Sequence, residues 1–399
     1  MSQVIDQRLL EAIGDIWVNS RIVANVTAFC DECGNRFAGS ASELAGRDVL
    51  LEQFRRAGLE NVHLEPCRYT GWRRGGCTLE ILQPRQRALE AVSMVHAPAT
   101  PEGGLERELL SAGRGTREDF ARLGDEVAGK IVLIALGSPL GSFIHRVSRY
   151  GWAREHGAAG VIFAKEESGQ LLGTGTVAAA YREVGALPAL GISYETGQYL
   201  LRQLRHGPVR VRLELRNEFV PDAETWNVVG DLPGVDGAEE HLLVGAHWDG
   251  HDRADAALDN ALGLFTALDA ARGLARLKGR LRRGIRFVGF GNEESWIVGS
   301  TNYVAQHAGE LERLALMVNC DALARFGHTS LRVTKRPEIL GYFRRLVAEL
   351  DLPVPVDSTG WLPGSSDEWP FLVEGVPAVS ARGTQTPEER SRGRGLDHT

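Results

Sequence analysis

Five short polar clusters carry residue types that bind metal ions and move protons: His247-Trp248-Asp249, Asp259-Asn260, Glu293-Glu294, Asp321 and His398. Zinc takes imidazole nitrogen and carboxylate oxygen at about 2.0–2.2 Å, and hydrolytic metal pairs sit about 3.5–4 Å apart. Such a pair needs one bridging carboxylate, private ligands for each ion, and a further carboxylate to handle protons. The chain offers a residue for each task. Singly, none is informative. An Asp opening a helix is ordinarily an N-cap, a Glu-Glu pair is ordinarily a solvated surface, and a histidine ending a strand is ordinarily a satisfied polar group.

Their placement is what makes them informative. Apolar runs predict strands at Thr225–Val229, His241–Ala246, Gly284–Gly291 and Leu314–Cys320, with helices over 260–277, 295–307 and 337–350. Nearly continuous Val/Ile/Leu strands alternating with helices predict a mixed, mostly parallel sheet flanked by helices, an α/β fold. Open α/β sheets bind ligands at the carboxyl ends of their strands. His247, the Glu pair and Asp321 each follow a strand, and Asp259 opens a helix, so the sheet brings them together.

Ahead of this region the pattern predicts a helix over 6–29 and a loop over Gly34–Ser40. A second helix over 42–57 stops at Gly58, and a hairpin occupies 61–84. From 88 to 216 the texture shifts to Gly- and Ala-rich strands around single helices. Strands are expected at Gly129–Leu136, Ala158–Ala164 and Pro188–Ser193, and helices at His145–His156 and Tyr194–Leu204. No His, Asp or Glu cluster at ligand spacing falls in that stretch, so its expected role is to shape or cover something else.

Bulk properties bound the remaining possibilities. The 399 residues exceed one ordinary core and predict two domains. A net charge of −7 gives no reason to expect a nucleic-acid or anionic-membrane partner, and no run is long enough to span a bilayer. The five cysteines are an odd count without a visible secretory signal, which points to reduced thiols and a cytoplasmic protein. Cys30-Asp31-Glu32-Cys33 is a lone C-x-x-C, read as two small apolar residues near a helix end.

Taken together, Gly245–Asp249, Leu258–Gly263, Arg286–Glu294 with Gly299-Ser300, and Val318–Asp321 resemble the M28 family of zinc peptidases, which includes co-catalytic aminopeptidases. Gly364–Asp367 with Phe371 and Gly375–Ala378 is similar to that family's later loop, and Gly34–Ser40 is similar to its N-terminal segment. Residues 88–216 resemble the protease-associated (PA) domain often inserted in these enzymes. The resemblance implies a zinc-dependent exopeptidase fold split into 1–87 and 217–399, with an inserted smaller α/β domain at 88–216. It implies two zinc ions per chain: His247 and Asp321 on one, Glu294 and His398 on the other, Asp259 bridging. Glu293 is then the general base that serves a bridging hydroxide, and Asp249 orients His247. The implied activity is aminopeptidase action on a peptide substrate. A glutaminyl-cyclase-like acyltransferase on one zinc, or a degenerate binding module, are the rivals.

Other polar residues are set aside. His251, Asp252 and Asp255 read as loop polarity, and His307 and His328 as ordinary helix-end or surface histidines. Asp367 and Glu368 could face the cleft, while Arg390, Arg392 and Arg394 read as a solvated loop. His398 is the second-last residue, so the zinc that depends on it is expected to be the more labile one.

Overall fold

The computed structural model describes residues 7–137, 144–178, 183–235, 239–323, 327–334, 336–359 and 366–384. His398 and Arg390, Arg392 and Arg394 lie outside the described residues, as do Gly364 and Ser365. Three helices open the chain: α1 (Gln7–Asn19), α2 (Ile22–Cys33) and α3 (Ala41–Arg56). Next come β1 (Glu60–Arg73), β2 (Cys77–Gln83), β3 (Arg87–Leu89), β4 (Val92–Ser93), β5 (Leu105–Ser111), α4 (Arg117–Leu123) and β6 (Ile131–Ile134). They continue through α5 (Arg146–Glu155), β7 (Gly160–Ala164), β8 (Ala189–Ile192), α6 (Tyr194–His206), β9 (Arg210–Leu215) and β10 (Glu218–Leu232). The strand–helix series is β11 (His241–His247), α7 (Leu262–Leu274), β12 (Gly284–Phe290), α8 (Val298–Gln306), β13 (Leu314–Asp321) and β14 (His328–Thr334). It ends with α9 (Pro337–Glu349), β15 (Val356–Thr359), α10 (Glu368–Val373) and β16 (Ala378–Thr384).

Two compact units divide inside β1 and β10, one comprising residues 1–68 and 224–395, the other essentially 69–223. The second unit thus begins earlier than residue 88, because β2 pairs antiparallel with β9 and belongs to that unit's sheet. The expected 61–84 hairpin does not form: β1 neighbours β10, and β2 neighbours β3 and β9. The expected 6–29 helix is two helices. Arg21, at φ −115° and ψ 12°, breaks the ladder between them.

The larger unit holds an eight-stranded sheet in the order β1-β10-β12-β11-β13-β16-β14-β15. Its centre is parallel: β12, β11, β13 and β16 run together, while β10 and β14 pair antiparallel with that block. One face packs Phe54, Leu264, Phe265 and Phe287, and the other packs Leu243, Phe290, Met317 and Phe371. Each such side chain, fully buried, contributes about 1.5–3 kcal/mol. Gly245 in β11 has no room for a side chain, since a Cβ there would lie 2.4 Å from the Phe290 ring.

The smaller unit has its own eight-stranded sheet, β3-β2-β9-β5-β6-β7-β8-β4, whose β5–β8 block is parallel. All four residues of β6 and of β8 are buried, as expected for strands covered on both faces. No helix among the described residues is long and apolar enough to cross a membrane.

Candidate metal centre

Strand register assembles the centre. In the parallel ladder Gly245 lies opposite Asn319, so His247 and Asp321 leave neighbouring strands together. His247 itself pairs with Phe290, three residues before Glu293. Asp259 arrives from the third side. It does not cap α7, whose N-cap is Ala261 with no side-chain bond; instead Asp259 and Asn260 take non-helical backbone angles in the wide turn before that helix. Asn260 then ties this turn to the end of β13, donating to the Cys320 carbonyl at 2.8 Å and accepting from the Ala322 amide at 3.1 Å.

The result is a group of three ligand-type side chains, His247, Asp259 and Asp321, whose nearest atoms lie within 4.8 Å of one another. His247 Nε2 is 3.1 Å from Asp259 Oδ1 and 3.7 Å from Asp321 Oδ1. On the other side of the ring, Nδ1 faces Asp249 Oδ1 at 3.4 Å. Asp249, fully buried, also accepts the Glu293 and Glu294 backbone amides at 2.9 and 3.2 Å. The sequence reading gave Asp249 only the histidine. It also fixes the turn that carries the glutamates.

Beyond these, the structure adds contacts that the sequence did not reveal. Asp321 Oδ2 accepts from the Ser366 hydroxyl at 2.7 Å and from Arg382 at 3.1 Å, and Arg382 stands opposite Asp321 in the β13–β16 register. Asn319 donates to both Ser366 Oγ and Glu368 Oε2. Asp367 is completely buried next to this segment. His251 corrects the sequence reading outright. It is 1% exposed, not loop polarity, and its Nε2 lies 2.9 Å from Glu294 Oε2. Its position four residues past the strand end hid this, because the loop folds back under the glutamate turn. His307, in contrast, is a helix-end histidine as expected, paired with Glu65 at 2.9 Å.

The electrostatics call for a cation. Burial disfavours charge on His247, yet Asp249, Asp259 and Asp321 hold its imidazole well above the usual histidine range. Burial, with the charges of Glu294, Asp367 and Asp321, raises Glu293 well above the usual carboxylate range against the pull of His247. Burial likewise pushes Asp367 up to about 7. Burial also opposes charge on Asp321, but His247 and Arg382 keep its carboxyl low. A buried crowd of carboxylates around one imidazole is a donor set for a borderline divalent metal such as zinc. His247, Asp259 and Asp321 fit that role by proximity and type.

A mostly parallel sheet bearing this cluster at its strand ends defines a candidate metal-binding protein of α/β type. Residues 227–391 match the model of Peptidase family M28, and residues 91–200 match that of the PA domain. Carboxypeptidase Q of Mus musculus is 26% identical over 88% of this chain and 75% of its own length. A probable leucine aminopeptidase 2 of Trichophyton verrucosum is 30% identical over 59% of this chain and 44% of its own. Among solved structures, a peptidase M28 precursor from Shewanella amazonensis SB2B superposes with a TM-score of 0.81 at 25% identity, covering 94% of this chain and 87% of that one. The chain thus carries a peptidase M28 region at residues 227–391 and a PA domain at residues 91–200, and it is a metallopeptidase.

Proposed function

We propose that this protein is a zinc exopeptidase of aminopeptidase type, binding two zinc ions. His247 and Asp321 would hold one ion and Glu294 and His398 the other, with Asp259 as a carboxylate available to both. Bound there, zinc acidifies water and polarises the scissile carbonyl. Every other role falls to the chain. Glu293, its carboxyl raised above the usual carboxylate range by burial, accepts the proton from the attacking water and returns one to the departing amine. Asp249 keeps Glu293 and Glu294 at fixed height by holding their amides. The Ser366 hydroxyl and Arg382 fix the outer oxygen of Asp321, leaving the inner one for the metal.

The observation that carries the reading is the His247–Asp259–Asp321 cluster, its histidine buried and its carboxylates partly so, with Glu293 beside it. The surplus of carboxylates, with Asp367 and Glu368 also buried there, favours a substrate end that is cationic, a free α-ammonium. One observation favours a second reading. The relatives named carboxypeptidase Q align over more of this chain than the leucine aminopeptidases do, so attack from the carboxyl end is the alternative.

Peptides blocked at one end or the other, assayed with and without chelator, separate the two. Hydrolysis of amino-free substrates, abolished by N-acetylation and by chelation, is expected. Cleavage of N-blocked but not C-amidated peptides would reverse the polarity, and turnover indifferent to chelator would overturn the zinc assignment.

A further inference from the structure

The loop after β11 is held with unusual thoroughness for a segment carrying only one expected site residue. Arg36, from the connector between α2 and α3, is fully buried, and four of its hydrogen bonds go to backbone carbonyls, with one more to Cys30 Sγ. Its Nε donates to Trp248 O at 2.9 Å, Nη1 to Asp255 O at 2.9 Å and Nη2 to Ala256 O at 3.0 Å, and a further bond reaches Gly34 O. The guanidinium also lies 4.6 Å from the centre of the Phe29 ring. Asn35 adds a bond from Nδ2 to Asp252 O at 3.1 Å. Both ends and the middle of the 248–256 loop are thereby fastened to one connector. Gly250 keeps the loop tight, since a Cβ there would come within 2.1 Å of Ala256 Cβ and 3.0 Å of Asn35 O.

The loop presents His251. That ring is 1% exposed, and its Nε2 sits 2.9 Å from Glu294 Oε2. At this distance the imidazole and the carboxylate are in direct contact, within ion-pair range. Carboxylates that ligate metals are themselves hydrogen-bonded, and those partners set their orientation. A side chain on a free loop would lose rotamer and backbone freedom on making such a contact. Arg36 has removed most of that cost by fixing the backbone beforehand.

We infer that His251 is a positioning residue: from the loop fastened by Arg36, its imidazole holds the Glu294 carboxylate in the orientation its metal needs. The inference rests on Glu294 being a ligand of the second zinc, as proposed above. It gives that zinc a support built into the β11 loop.

Zinc titration of the metal-free full chain against a chromogenic chelator tests this, comparing wild type with His251→Leu and His251→Gln. In wild type two zinc ions are expected. His251→Leu is expected to weaken one of them roughly 10–100-fold and leave the other unchanged, the usual effect of losing a ligand's outer partner. His251→Gln, whose amide nitrogen reaches about as far as Nε2, is expected to recover most of the loss. Cobalt substitution gives the same answer spectroscopically, one of two visible absorption envelopes changing in the Leu variant and returning in the Gln variant. Two unchanged zinc affinities in His251→Leu would overturn the inference alone. So would equal weakening at both sites in the Leu and Gln variants with a lower melting temperature of the metal-free chain, which marks a purely structural histidine. A single zinc in wild type would overturn the two-metal reading and this inference with it.

Discussion

His96 and His247 are each 1% exposed, one in each compact unit, and their environments drive them in opposite directions. His96 lies in the 69–223 unit with Nδ1 2.9 Å from Thr176 Oγ1, and burial lowers its pKa to about 4. His247 faces three carboxylates and is held well above the usual range. Burial alone therefore does not decide the charge of an interior histidine; the partners do. The smaller unit surrounds its buried ionisable group with neutral hydrogen bonds and apolar strands. The larger unit concentrates carboxylates at one set of strand ends, an arrangement that costs stability until a cation arrives.

The sharpest way to break this contrast is through catalysis. Glu293→Gln is expected to lower kcat/KM for peptide hydrolysis roughly 10²–10⁴-fold, the range for loss of a general base. His96→Gln should leave it unchanged. Comparable losses in both variants would erase the functional asymmetry between the units. Metal removal is next in size. An ion present at a thousand times its dissociation constant stabilises by about 4 kcal/mol. Chelation should therefore reduce hydrogen-exchange protection in β11, β12 and β13 while sparing β6, β7 and β8.

Acidity then sets the units against each other. His96 has a folded pKa below its unfolded value of 6.5, so its contribution is complete above pH 6.5 and is lost as pH falls toward about 4. The loss is about 3 kcal/mol. Glu43, 1% exposed in the larger unit, has its carboxyl pushed by burial from 4.5 up to about 7. Its contribution is complete below pH 4.5 and is lost as pH rises toward 7, also about 3 kcal/mol. Urea unfolding across this range should show His96→Gln flattening the acid limb and Glu43→Gln the neutral one. Parallel curves for wild type and both variants would show that neither group titrates in the fold as described. Smallest is Ser366→Ala, which removes one hydrogen bond from Asp321. It should weaken zinc binding about tenfold, at the lower end of the usual range for an outer partner, and unchanged binding would dismiss that hydroxyl.

Much of this was legible in the sequence, and the gaps have physical reasons. Apolar runs ending in His247, Asp321 and the glutamate pair mark parallel strands, and the sheet's register does converge those ends. Asp259 was legible by residue type and spacing, but not the wide turn that takes it out of the helix it was expected to open. The contacts of His251, Asn260, Asn319, Ser366 and Arg382 were not legible, although Asn260, Asn319 and Ser366 lie inside motifs the sequence displayed. Each acts through a contact made across strands or loops, and no local pattern distinguishes such a residue from ordinary loop polarity. Arg36 is the extreme case, since most of its hydrogen bonds fall on backbone carbonyls that carry no side-chain signal. The 61–84 segment misled because alternation reveals a strand without naming its neighbour, and β1 and β2 go to different sheets.

Asp249 has a consequence for anyone transplanting this centre. One carboxylate spans the end of β11 and the turn after β12, gripping two successive amides. Glu293 and Glu294 are thus set by a single cross-brace and cannot be tuned independently. A graft that copies only the metal-facing side chains onto another parallel sheet would lack the gauge that spaces them. Combined replacements at Asp249 and Glu293 should therefore be far from additive.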